Sequence, residues 1–182
     1  MEHDGDEYLM ARVGRDRPEL LEKLLRRHAG PLLTFLQRMV GDHHRGEELF
    51  QEVFLTVWVK RRQYRYPLPF KPWLYAIALN KCRAWFRRRV SPALPLEDGD
   101  ALTPASPDAS PAETAIATET AVLVNRAIQQ LPHQQRAVVV LRVWEGLSYS
   151  HIAEVIGCTE ATARSHMHHG LAALRKHLEP YQ

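Results

Sequence analysis

Apolar residues recur every three or four positions through most of this chain, and nowhere do they alternate with polar ones over the length of a strand. Leu20, Leu21, Leu24 and Leu25, then Leu32, Leu33, Leu36, Met39 and Val40, predict helices over 19–27 and 31–40, with Gly41 and Asp42 breaking the chain after them. An amphipathic helix is predicted over 45–62, a loop rich in Tyr and Pro over 63–72, and a basic helix over 73–89. Further helices are predicted over 112–130, 132–144, 149–156 and 160–178, where Pro180 opposes continuation. Between the two groups, 91–112 is rich in Pro, Ser, Ala and Asp. It has no aromatic or β-branched apolar residue to bury, which predicts an extended linker. The expected fold is therefore all-α, with two small helical domains over 16–90 and 113–182 joined by an acidic, Pro-rich linker over 91–112.

Charge sharpens this picture. Residues 1–90 carry 18 Lys+Arg against 11 Asp+Glu, 91–120 carry none against 6, and 121–182 carry 6 against 4, so a net charge of only +3 conceals a basic front, an acidic middle and a mildly basic end. Two cationic bodies held apart by an acidic spacer suit a nucleic-acid binder. No run of about 18 apolar residues is present, so no membrane insertion is expected. The acidic first residues lack the order of a signal peptide. Two cysteines, Cys82 and Cys158, in separate segments form no disulfide framework, and the expected compartment is the cytoplasm.

The helix faces carry the functional reading. On the 45–62 helix, Leu49, Phe50, Val53, Phe54, Val57 and Trp58 form a core face. The opposite stripe, Glu48, Gln51, Glu52, Leu55 and Val59 with Arg62, sets two apolar residues among carboxylates and an amide, the composition of a protein-docking surface. On the 73–89 helix, Leu74, Ala78, Leu79, Cys82, Trp85 and Phe86 face the core, and Asn80, Arg83, Arg87 and Arg88 form a polar stripe bordered by Trp73. Cations for phosphates, Asn for base edges and aromatic rings for exposed bases suit nucleic acid. The preceding loop adds Arg61, Arg62, Tyr64, Arg65, Tyr66 and Phe70, whose rings either stack on an unpaired base or cover the core.

Near the C-terminus the order is a Ser148 cap, an apolar helix face of Ile152, Ala153 and Ile156, Gly157, a Thr159 cap and a longer helix. That order is a helix-turn-helix. In its second helix Ala163, Met167, Leu171, Leu174 and Leu178 make the core stripe. Ser148, Thr159, Glu160, Ala161, Thr162, Arg164, Ser165, His168 and His169 are the candidate DNA contacts, because the first residues of a recognition helix reach the bases.

Several of these pieces occur together in one family. Glu48-Leu-Phe-Gln-Glu-Val-Phe-Leu-Thr-Val-Trp58 resembles the aspartate-leucine-x-glutamine-glutamate-x-phenylalanine helix of bacterial sigma factors, with Glu48 where Asp is usual. Phe70-Lys-Pro-Trp-Leu-Tyr-Ala-Ile-Ala-Leu-Asn80 with the Arg87–Arg89 run resembles the promoter-melting helix. Leu131 to Arg142 and Glu145 to Gly157 resemble the domain that reads the upstream promoter element. The two-domain layout is that of the extracytoplasmic-function sigma factors. The resemblance implies that Glu48, Gln51, Glu52, Leu55 and Val59 dock on the β′ clamp helices of core RNA polymerase, with the β flap as a further contact. It implies that the loop and the 73–89 helix hold the melted −10 strand, that the final helix reads the −35 element, and that an anti-sigma factor is a possible further partner. It implies no cofactor, no metal and no catalysis, since polymerase makes the bonds. The final helix departs from the family in placing His166 and His169 where fixed cations are usual.

Two other readings compete. A helix-turn-helix regulator that never joins polymerase needs neither the docking stripe nor the aromatic-basic loop. A metal protein built on His151, Cys158, His166, His168 and His169 has no carboxylate or Cys-x-x-Cys set to complete a site.

Overall fold

In a computed structural model of the chain, residues 5–15, 17–90 and 113–179 are described, and among them every regular element is helical. The linker expected over 91–112 lies outside these residues. The first helix, α1 (Asp6–Arg15), escapes the sequence reading because it offers only Leu9, Met10 and Val13 to the core between charged residues. Asp6 and Glu7 in its first turn and Arg12 and Arg15 in its last complement the helix dipole. Asp6 also accepts bonds from Arg27 (2.8 Å) and from His28 Nε2 (2.6 Å), and so pins α1 to the next helix.

That helix, α2 (Leu20–Val40), is continuous where two were expected. Pro31 removes one backbone donor, but Leu24, His28, Leu32, Phe35, Leu36 and Met39 make one unbroken buried stripe, and burying it outweighs the lost bond. Gly41, at φ 78°, ends it. Asp42 then caps α3 (His43–Lys60) by accepting from the Arg45 N–H at 2.9 Å. A Cβ on Gly46 would lie 2.5 Å from Gln37 Cγ, so glycine there lets α3 lie close on α2. A 3-10 turn over Arg61–Gln63 leads to the loop, and α4 (Phe70–Val90) follows. Its start is capped from a distance: the Phe70 N–H donates to Glu7 Oε1 at 3.1 Å.

The second group comprises α5 (Glu113–Gln129), α6 (His133–Val143), α7 (Tyr149–Ile156) and α8 (Glu160–Leu178). Ser148 and Thr159 cap α7 and α8 by accepting from His151 N–H and Thr162 N–H, and Gly157 at φ 79° makes the turn between them. On α8 the core stripe is Ala163, Met167 and Gly170, whereas Leu171 is exposed. A Cβ at position 170 would meet Val139 Cγ2 at 2.8 Å, so α6 and α8 cross where α8 has no side chain.

The two groups pack against each other, α4 on α7 and the end of α2 on α5 and α6. The Glu145 carboxylate accepts from Tyr75 Oη at 2.5 Å and pairs with Lys71 Nζ at 3.3 Å. Lys71 Nζ also donates to the Glu145 carbonyl at 2.6 Å. Burial and the adjacent carboxylate push the Tyr75 phenol far above its ordinary range, so it is always a donor here. The buried Arg136 donates to the carbonyls of Met39 (2.5 Å), Gln129 (2.6 Å) and Leu131 (3.2 Å), joining the C-terminal ends of α2 and α5. Because α4 is wrapped on several sides, Tyr75 and Ile77 are buried together with the expected Leu74, Ala78, Leu79 and Cys82. Desolvation pushes the Cys82 thiol up to about 12, which keeps it protonated, and neither cysteine is bonded to the other.

Candidate functional site

Three surfaces hold the residues singled out by sequence. The first is the outer face of α3. Leu49, Val53, Phe54 and Val57 are buried, while Leu55 and Val59 on the opposite side stand 66% and 72% exposed. An apolar pair this exposed on a helix that buries its other face so fully is unsatisfied surface. Glu48 and Gln51 are exposed beside it, Glu48 bonded to Arg45, and Glu52 pairs with Lys81 at 3.1 Å. Trp58, expected in the core, is instead part of this face, 38% exposed under the Arg61 guanidinium at 3.9 Å.

The second surface is the loop with α4. Arg62, Arg65, Tyr66, Asn80, Arg87 and Arg88 are exposed, and Arg61 and Trp73 half-buried. Tyr64 and Phe70 sit in the core, Tyr64 edge-on to Trp73 with its hydroxyl donated to the Leu68 carbonyl. Burial and the Glu7 and Asp6 carboxylates raise the Tyr64 phenol well above its usual range. These two rings therefore hold the loop in shape and do not present a stacking face in this arrangement. The exposed ring is Tyr66, next to an equally exposed Leu68 that the sequence reading did not single out, since a leucine between two prolines carries no periodicity. Arg83 is turned away from solvent: its Nη2 donates to the carbonyl of Ile156 at 2.8 Å, capping the end of α7.

The third surface is the start of α8. Ser148, Thr159, Glu160, Ala161, Thr162, Arg164, Ser165, His168 and His169 are all exposed, and Ala163 is buried beneath them. The only potential metal-ligand cluster among the described residues is not here. It is His43, His44 and Glu47 on α3, all three exposed. No described helix is long and apolar enough to cross a membrane.

Comparison with known proteins decides among the readings. The family model for Sigma-70 region 2 matches residues 24–91, and that for Sigma-70 region 4 matches residues 121–174. The chain is 30% identical to the RNA polymerase sigma-H factor of Pseudomonas aeruginosa, over 97% of this chain and 95% of that protein. It is 34% identical to the RNA polymerase sigma factor CarQ of Myxococcus xanthus, over 92% and 94%. The chain belongs to the sigma-70 family of RNA polymerase sigma factors. Its other relatives place it in the extracytoplasmic-function group. The fold is also that of CnrH in its complex with the cytosolic domain of CnrY, at a TM-score of 0.75 and 21% identity over 98% of this chain and 100% of that one. A sigma factor binds core polymerase and directs promoter-specific initiation, so the reading as a free-standing helix-turn-helix regulator is not favoured.

In this sigma factor the two matched regions meet at a seam that holds a histidine. His133 at the start of α6 lies against Phe86 of α4, ring centroids 3.8 Å apart. Burial, and then the Arg136 guanidinium, hold its pKa below the ordinary imidazole value. Around it α4 contributes Arg83 and Arg87 and α6 contributes Gln134, with no carboxylate in that cleft to offset a further positive charge. A histidine whose pKa is depressed in the packed state binds its proton more readily once released. Packing is therefore favoured above about pH 6.5 and weakened as pH falls below it. Fluorophores on α3 and α8 should report greater separation at pH 5.5 than at pH 7.5, and His133→Gln should remove most of the difference. A distance that is the same at both pH values would contradict this.

Proposed function

We propose that residues 16–90 act as the region that docks on core polymerase and holds the −10 element, that 113–182 read the −35 element, and that 91–112 link them. Docking falls to Glu48, Gln51, Glu52, Leu55 and Val59, against the polymerase β′ clamp helices. The observation that carries this is the exposure of Leu55 and Val59, framed by acidic side chains, on the one face of α3 that the core leaves uncovered. The −10 strand falls to Arg61, Arg62, Arg65, Tyr66, Trp73, Asn80, Arg87 and Arg88, with Tyr64 and Phe70 shaping the loop beneath. Arg83 joins them when α7 withdraws and frees its guanidinium. The −35 element falls to the exposed start of α8, with the β flap as the polymerase contact of that domain. The protein makes and breaks no bond itself, needs no cofactor and works in the cytoplasm. An anti-sigma partner is consistent with the sigma factor RpoE of Bartonella quintana, similar in fold at a TM-score of 0.68, having been solved with the anti-sigma factor NepR.

Lys71, Tyr75 and Arg83 bond directly to the second helical group, so freeing Arg83 for the −10 strand requires the two groups to part. The division of labour has a direct test. Asn80→Ala with Arg87→Ala should reduce strand opening, read by permanganate reactivity of −10 thymines in the holoenzyme complex, by about tenfold or more. Protection of the −35 element should persist, because the residues sit on separate helical groups. Equal opening by the double variant would remove α4 from the melting role.

A further inference from the structure

We propose that Tyr149 is a positioning residue for sequence readout: its ring holds the Arg164 guanidinium ready for a guanine in the −35 element. This rests on the reading of α8 as the recognition helix. The starting observation is scarcity. Between Arg142 and Arg175 the chain has a single Lys or Arg, and it is Arg164. The helix-turn-helix thus has one permanent cation to spend on bases. Its other polar side chains at the start of α8 are hydroxyls, a glutamate and histidines.

That one cation is held on two sides. The Arg164 Cζ lies 4.4 Å from the centroid of the Tyr149 ring, well inside the range of a cation–π contact. Its Nη2 donates to Glu160 Oε1, one turn back on α8, at 2.5 Å. An exposed i,i+4 ion pair by itself is weak and screened by salt, so the ring is the better anchor. Tyr149 is itself fixed. It is the first residue of α7, whose start is capped by Ser148, and it is half-buried. A second guanidinium, that of Arg142, lies 5.0 Å from the same ring and is tied by Nη1 to the Leu147 carbonyl at 2.9 Å.

The geometry of a guanidinium makes this arrangement useful. Its flat face satisfies the aromatic ring, while its donors point outward along its edges. The Arg164 side chain remains 60% exposed, so the edge not taken by Glu160 stays open to a ligand. A guanidinium with an open edge is the group that forms a bidentate pair with guanine O6 and N7 in the major groove. Holding it in place beforehand removes part of the rotamer entropy that a free arginine would lose on binding. Arg164 was legible in the sequence as a DNA contact. Tyr149 was not, because a tyrosine at a helix start reads as core.

The test uses holoenzyme assembled from the full chain and core RNA polymerase, with promoter DNA randomised through the −35 element and the bound fraction sequenced. The wild type should enrich guanine at one position, and Arg164→Ala should reduce that enrichment by roughly 5- to 150-fold, the worth of one bidentate arginine–guanine pair. Tyr149→Leu should lose most of the same enrichment at the same position, while Tyr149→Phe, which keeps the ring, should retain it. In the Arg164→Ala background Tyr149→Leu should add little. Pentafluorophenylalanine at position 149 keeps the shape of the ring but reverses its quadrupole. It should behave like Leu, which separates positioning from packing even if Leu proves poorly folded.

Wild-type guanine enrichment in Tyr149→Leu or in the pentafluoro variant would overturn the proposal. So would a loss spread evenly over all positions. If the wild type shows no selection in the −35 element at all, the recognition-helix reading falls, and this assignment falls with it.

Discussion

Leu55→Asp should leave the sigma factor folded and abolish its binding to core RNA polymerase. Leu55 stands 66% exposed on the side of α3 opposite Val53 and Val57, so a charge there meets water in the free protein and disturbs no packing. In a docked complex the same carboxylate would be buried among apolar groups, which costs several kcal/mol, or on the order of a thousandfold in affinity. The neighbouring Glu48 and Glu52 aggravate the loss, since a third carboxylate would be added beside them. Val59→Asp should act in the same direction. Thermal unfolding by circular dichroism should match the wild type for both. A folded Leu55→Asp protein that binds polymerase normally would show that docking uses another face.

The second large effect is on stability. Arg136→Ala should lower stability by about 3 kcal/mol, or roughly 6–12 °C in melting temperature for a chain of this size. Arg136 donates to the carbonyls of Met39, Gln129 and Leu131, and its charge sits where the C-terminal ends of α2 and α5 converge. Desolvation lowers the guanidinium pKa, since burial disfavours its charged form. Truncation leaves those carbonyls without a donor. Urea titration should show the loss as a shift of the midpoint. A variant within about 1 kcal/mol of the wild type would mean that water replaces the guanidinium at no cost.

Much of this was legible in the chain. Strict three-four spacing located α7 and α8 to the residue and α3 within two, because Ser148, Thr159 and Gly157 are local signals whose chemistry does not depend on the fold. The exposed Leu55 and Val59 followed from the same wheel. What failed depended on neighbours distant in sequence. Pro31 reads as a boundary until the shared stripe of α2 is seen to run through it, and α1 has too few apolar residues to announce itself. Tyr64 and Phe70 carry the right chemistry for a base but are taken by the core. Arg83 has the right charge but is occupied by the end of α7. No pattern along the chain indicates that Glu145 would meet Tyr75 and Lys71, or that Arg136 would reach Met39. Such contacts arise from how the helical groups pack, and periodicity within one helix is blind to them.

Promoter-specific initiation by this chain is expected to run through the uncovered face of α3, which joins it to polymerase. The most direct measurement is multi-template run-off transcription with purified core polymerase and the full chain, its start sites mapped by sequencing. Discrete starts are expected, each preceded by a shared pair of −35 and −10 elements, and none of them with the folded Leu55→Asp protein. Starts that are scattered as with core polymerase alone, or that persist undiminished with Leu55→Asp, would contradict it.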